Sequence, residues 1–216
     1  CGFFGNKLLI IPILNSQKCF SFTYEVSGFK CAKVDHIYIK TVSGSSSFTD
    51  FLVFYQEKEP VIQDIPIYAI EETKTDDKES RNTGVFQRCS KFVFINNYYP
   101  STKKIMLYAL QISQKTEPTE TYIFGTRLLL TLGVEILGKN LDSKIFSPFT
   151  NIDDVIYTKN RMRRPPAGNV PITLTKTTNK IQISGRLFKS GGLSHDPNIG
   201  ALSIIAAVLR KLGWTE

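Results

Sequence analysis

The apolar run Pro66-Ile67-Tyr68-Ala69-Ile70 reads as a strand and runs on into the polar Glu71-Glu72-Thr73-Lys74. Side chains of a strand alternate faces with a period of two, so Tyr68, Ile70, Glu72 and Lys74 share one side, and a carboxylate and an ammonium emerge together at the strand end. Phe48-Thr49-Asp50 opens a second apolar run, Phe51-Leu52-Val53-Phe54-Tyr55, and the polar stretch Gln56 to Pro60 separates the two. That spacing suits adjacent strands, which brings Asp50 toward Glu72.

The rest of the pattern predicts β-rich residues 7–56, a helix near 80–90 capped by Ser80, and strands Phe92 to Ile95 and Lys104 to Gln111. A helix follows around Thr126 to Leu137, then an irregular or β stretch over 138–192. Asp196 and Pro197 read as N-cap and first residue of a terminal helix through Ile199 to Leu212, with an apolar stripe at Leu202, Ile205, Ala206 and Leu209. Gly84 inside the 80–90 helix costs about 1 kcal/mol against alanine. Strands interspersed with a few helices predict an α/β or α+β fold with a central mixed β-sheet.

With 216 residues the chain suits one domain, 1–216, able to bury roughly 70% of its unfolded surface. Cys1, Cys19, Cys31 and Cys89 form no Cys-x-x-Cys pair, so neither a zinc site nor a disulfide framework is indicated and a reducing cytoplasm fits best. No apolar run reaches the roughly 18 residues of a membrane span, and residues 1–14 lack the pattern of a cleaved leader. His36 and His195 are the only histidines, too few for a three-histidine zinc site. Glycine-rich phosphate loops are missing, so no nucleotide cofactor is expected.

Net charge is +8, unevenly placed: residues 151–216 hold ten Lys or Arg against four acids. This last part is the expected DNA-contacting region. Lys159-Asn160-Arg161-Met162-Arg163-Arg164-Pro165-Pro166 reads as an extended basic loop, because Pro165 disfavours helix at Arg164. Arginine forks suit phosphates and guanine edges. Arg186 and Lys189 precede a glycine-rich tip, and His195 stands before the terminal helix, either a base or phosphate contact or a structural residue.

Asp50 followed by Glu72-Thr73-Lys74 at a strand end resembles the PD-(D/E)XK nuclease superfamily, most of all its type II restriction endonucleases, with Thr49 in place of the family's proline. The resemblance covers about residues 34–112. It implies a central mixed sheet with helices on both faces, a bacterial cytoplasmic enzyme, and a homodimer acting on double-stranded DNA. It further implies Mg²⁺, replaceable by Mn²⁺, held by Asp50, Glu72 and the Thr73 carbonyl, with Lys74 orienting the attacking water. Gln87 on the helix after the catalytic strand is expected to face the site, with Arg81, Asn82 and Arg88 near the DNA. The helix that family members often carry ahead of the first core strand, sometimes with a further glutamate, is not legible here.

Other acids rank lower. Glu71 points away from Glu72, although a twist or bulge at the strand end would exchange their roles. Asp35 lies a full strand further off, and Asp64 sits at the far end of the strand, about 25 Å away at 3.3 Å per residue. The plain alternative for Asp50, Glu72 and Lys74 is a set of solvated strand-end charges. The competing functions are a non-catalytic nucleic-acid-binding module and a structure-specific repair or phage-defence nuclease.

Overall fold

The computed structural model describes residues 2–3, 8–14, 20–27, 29–30, 36–42, 49–61, 63–73, 84–108, 119–138, 144–162, 172–185 and 197–215. Its eleven strands are β1 (Gly2–Phe3), β2 (Leu8–Leu14), β3 (Phe20–Ser27), β4 (Phe29–Lys30), β5 (His36–Val42), β6 (Phe51–Phe54), β7 (Tyr68–Thr73), β8 (Lys103–Tyr108), β9 (Val134–Leu137), β10 (Thr173–Lys176) and β11 (Ile181–Ser184). The α-helices are α1 (Gly84–Tyr98), α2 (Glu120–Leu132), α3 (Ile152–Arg161) and α4 (Pro197–Lys211), and a 3-10 turn spans Lys144–Phe146.

Seven strands form one mixed sheet in the order β2-β3-β5-β6-β7-β8-β9. It is antiparallel from β2 to β7 and parallel from β7 to β9. Parallel neighbours need long crossovers, which α1 and α2 supply. Both crossovers advance the sheet in the same direction, so a shared right-handed sense puts their helices on one face.

Burial along β8 records this: Lys104, Met106 and Tyr108 are buried, whereas Lys103 and Leu107 are exposed. The main core lies on the helix side, where Phe92 of α1, Phe124 and Leu128 of α2, Val155 of α3 and Ile204, Ile205 and Val208 of α4 pack together. Fully burying each such side chain is worth roughly 1.5–3 kcal/mol. A smaller cluster joins Leu52, Phe54 and Ala69 to Ile95 of α1. On the opposite face Leu107 and its register neighbour Leu137 stay 36% and 40% exposed. Among the described residues, then, the helices gather on one face of β7–β9 instead of the two expected.

Capping explains several boundaries. Thr119 accepts a hydrogen bond from the Tyr122 N–H at the start of α2, and Gly133 closes that helix in the left-handed region at φ 89°. That glycine separates α2 from β9, so the helix expected over Thr126 to Leu137 is a helix and a strand. Phe92 to Ile95, expected as a strand, lies inside α1, because a short run buried on several sides has the same composition in either state. Gly84 begins α1 instead of interrupting it. Asn151 caps α3, with its side chain accepting from the Asp154 N–H at 2.8 Å, so part of the stretch expected to be irregular or β is helical. Lys159 and Arg161 therefore sit on a helix, not on an extended loop; residues 163–166 lie outside the described residues.

The last two strands form a separate antiparallel ribbon, β10 on β11. Helix α4 packs closely on α1 at Gly200, where an added Cβ would lie 1.7 Å from the Phe86 carbonyl oxygen.

Candidate active site

Phe51 pairs with Ile70 across the antiparallel β6–β7 ladder, so one step further Asp50 stands opposite Glu71. Residues opposite one another project from the same face, and alternation sends Glu72 to the other. The face shared by Asp50 and Glu71 is the helix side, where Ala69 and Leu52 are also buried. The structure thus joins Asp50 to Glu71, where the sequence reading favoured Glu72. Glu72 meets Asp50 through its backbone, the Glu72 N–H donating to Asp50 Oδ2 at 2.9 Å.

Two reciprocal bonds fix the acids. Besides that N–H, the Asp50 N–H donates to Glu71 Oε2 at 3.2 Å. Glu71 is 3% exposed, while the Asp50 side chain keeps 40% of its surface in solvent. Burial pushes the Glu71 carboxyl above the usual carboxylate range, and the nearby Asp50 adds to this, while Lys91 and Arg88 pull the other way.

Lys91 reaches the pair from α1. Its ammonium donates to Glu71 Oε1 and Oε2 at 2.8 and 2.9 Å and stands 3.8 Å from Asp50 Oδ1. Arg88 Nε, almost one turn earlier, is 3.7 Å from Glu71 Oε1. Arg88, Lys91 and Ile95 lie on one stripe of α1, so the packing of Ile95 onto Ala69 and Leu52 aims both cations at Glu71. Sequence reading missed Lys91. The available signal was its place on one helical stripe, three residues after Arg88 and four before the apolar Ile95.

The other predicted residues divide clearly. Arg88 is brought to the acids. Thr73 lies in β7 and Gln87 in α1, elements that reach the site, without a described side chain. Lys74, Arg81, Asn82, Arg163, Arg164, Arg186, Lys189, His195 and Asp35 lie outside the described residues. On α3, burial lowers the pKa of Lys159, and Arg161 donates to the Tyr157 hydroxyl with its guanidinium 5.1 Å from that ring's centre. Asp64 accepts from the Val61 N–H and the Gln56 amide and organises its own loop.

Two carboxylates joined in register offer oxygen donors of the kind that hard divalent cations take, and Mg²⁺ uses only one or two carboxylates beside water and phosphate. Asp50 and Glu71 could present such oxygens to an ion: one oxygen of Asp50 is held by the Glu72 N–H while its other oxygen faces Lys91, and both oxygens of Glu71 accept from Lys91, with whose ammonium an ion would have to share them. Among the described residues no third Asp, Glu, His or Cys joins them. No helix of the described residues is long and apolar enough to cross a membrane. No family model, curated protein or solved structure matches the chain.

Proposed function

We propose that this protein is a Mg²⁺-dependent endonuclease of double-stranded DNA, of the type II restriction kind, in which Asp50 and Glu71 hold the metal and Lys91 serves the reaction. The observation that carries the reading is the pair itself: two carboxylates opposite one another on adjacent strands, with one lysine contacting both. The net charge of +8 supports a polyanionic substrate.

When bound, the cation supplies Lewis acidity toward a phosphate oxygen and lowers the pKa of a bound water. The chain's own groups do the rest. The Glu72 N–H and the Asp50 N–H lock the two carboxylates, so that their orientation is set before substrate arrives. Lys91, paired with both acids, would offset charge on the attacked phosphate and orient a water for in-line attack. Arg88 adds a second positive charge beside Glu71. A homodimer would place two such sites on the two strands of a palindrome, with Mn²⁺ replacing Mg²⁺ at the same oxygens.

Incubating a sequenced plasmid with the protein tests this. Discrete fragments in Mg²⁺, lost in EDTA, are expected. Uncut but retarded DNA under both conditions would overturn the nuclease reading in favour of a binding module.

A further inference from the structure

Residues 155–195 contain eight Lys or Arg and no Asp or Glu, and the β10–β11 ribbon lies within them. Its two faces differ in kind. Leu174 is buried, and Ile181 and Ile183 pack against the core. Thr173 pairs with Ser184 and Thr175 with Gln182, so these four side chains share the outward face, and all four are exposed. The face is made of hydroxyls and one amide, with Gln182 Nε2 within 3.4 Å of Ser184 Oγ. Lys176 lies on the inward face, where its ammonium pairs with Asp153 of α3 at 2.5 Å, and Lys180 is exposed at the tip.

A row of short polar side chains on a rigid two-stranded ribbon is one of the two protein shapes that enter the major groove of B-DNA, about 12 Å wide. Four residues of strand extend about 13 Å, and two strands about 4.8 Å apart fit that width once side chains are added. Gln presents a donor and an acceptor together, which suits adenine, and hydroxyls accept from or donate to any base edge. A-form RNA offers no such groove, being too narrow for side chains to read.

The ribbon's base rests on α4. An added Cβ on Gly185, just after β11, would meet Ile172 at 3.0 Å and Leu202 of α4 at 3.8 Å, and two residues earlier on α4 Gly200 abuts Phe86, two before Arg88. We infer that the outward face of the β10–β11 ribbon is the base-reading element of a DNA-binding surface, with Gln182 and Thr175 reading bases in the major groove and Lys180 at the tip holding a flanking phosphate. The inference deepens the nuclease reading and rests on it for its partner, double-helical DNA.

The experiment is selection of 30-base-pair duplexes from a random-sequence library, with Ca²⁺ in place of Mg²⁺, using the full chain and its Thr175→Ala/Gln182→Ala and Lys180→Ala variants. The wild type is expected to enrich a motif. The first variant should lose preference at one or more positions of it, on the order of tenfold per position, while keeping its affinity for unselected duplex. The lysine variant should keep the motif and bind all duplexes more weakly, and its slope of log affinity against log salt should fall by about one for each phosphate no longer neutralised. Both variants alter exposed side chains, and unchanged circular dichroism confirms the fold. An unchanged motif with Thr175→Ala/Gln182→Ala overturns the inference even if the protein cuts DNA. So does a wild type that binds no duplex. A motif lost in that variant, with no cleavage by any form in Mg²⁺, upholds the ribbon and removes the nuclease reading.

Discussion

Replacing Lys91 with methionine removes one partner of an ion pair whose side chains are 14% and 5% exposed while nearly preserving volume. At 2.8 Å and an effective dielectric near 20, the attraction to Glu71 is roughly 6 kcal/mol gross. Desolvation of both groups offsets most of that, but losing one partner leaves the other's burial uncompensated, a cost of roughly 3–5 kcal/mol. For a chain of this length that lowers Tm by roughly 6–20 °C.

The loss should depend on pH. Burial already raises the Glu71 carboxyl, and removing Lys91 raises it further. A carboxyl whose folded pKa lies above its unfolded value, about 4.3, contributes stability that is full below that value and is lost as pH rises through the folded pKa. Urea unfolding should therefore show Lys91→Met close to wild type near pH 4.5 and fully destabilised near pH 8. Lys91→Met/Glu71→Gln should recover most of the loss at pH 8, because the buried carboxylate is gone and only Arg88, 19% exposed, keeps a charge beside position 71. An equal deficit at both pH values, or no recovery in the double variant, would refute this account of the pair.

Three further outcomes are expected. Gly200→Ala forces α4 away from the Phe86 carbonyl, at a cost of roughly 3 kcal/mol, whereas Gly213→Ala, at φ 97° with open space around it, should lose about 1 kcal/mol from backbone strain alone; thermal melts of both separate packing from strain. The Cys89 thiol is fully buried and its pKa is pushed up by that burial, so peptide mapping after iodoacetamide at pH 8 should find Cys89 unmodified in the native protein and alkylated in urea. Arg127 stacks on Phe149 at 3.8 Å and bonds Asp154 and the Ser147 carbonyl, so Arg127→Lys, which loses the planar fork, should cost roughly 1–2 kcal/mol in urea unfolding.

Hydrophobic patterning carried the central strands well. The apolar run ending in Glu71 and Glu72 and the apolar run after Asp50 correspond to β7 and β6, paired as their spacing implied. Pro197 opens α4, as the Asp-Pro step indicated. Where a segment is buried on several sides, as at Phe92 to Ile95, composition no longer distinguishes a strand from a helix, and length had to decide. The choice between Glu71 and Glu72 depended on register, set by the pairing of Phe51 with Ile70, and a one-residue slip reverses every face. Lys91 was missed for a related reason: its stripe on α1 marks an inward-facing position, but its role follows from the crossover that returns α1 over β7, a long-range approach.

The most direct test of the central claim is plasmid cleavage in Mg²⁺ by the wild type, Glu71→Gln and Glu72→Gln, each checked by circular dichroism. The account predicts discrete fragments from the wild type and from Glu72→Gln, and none from Glu71→Gln. Cleavage retained by Glu71→Gln and lost by Glu72→Gln would contradict it.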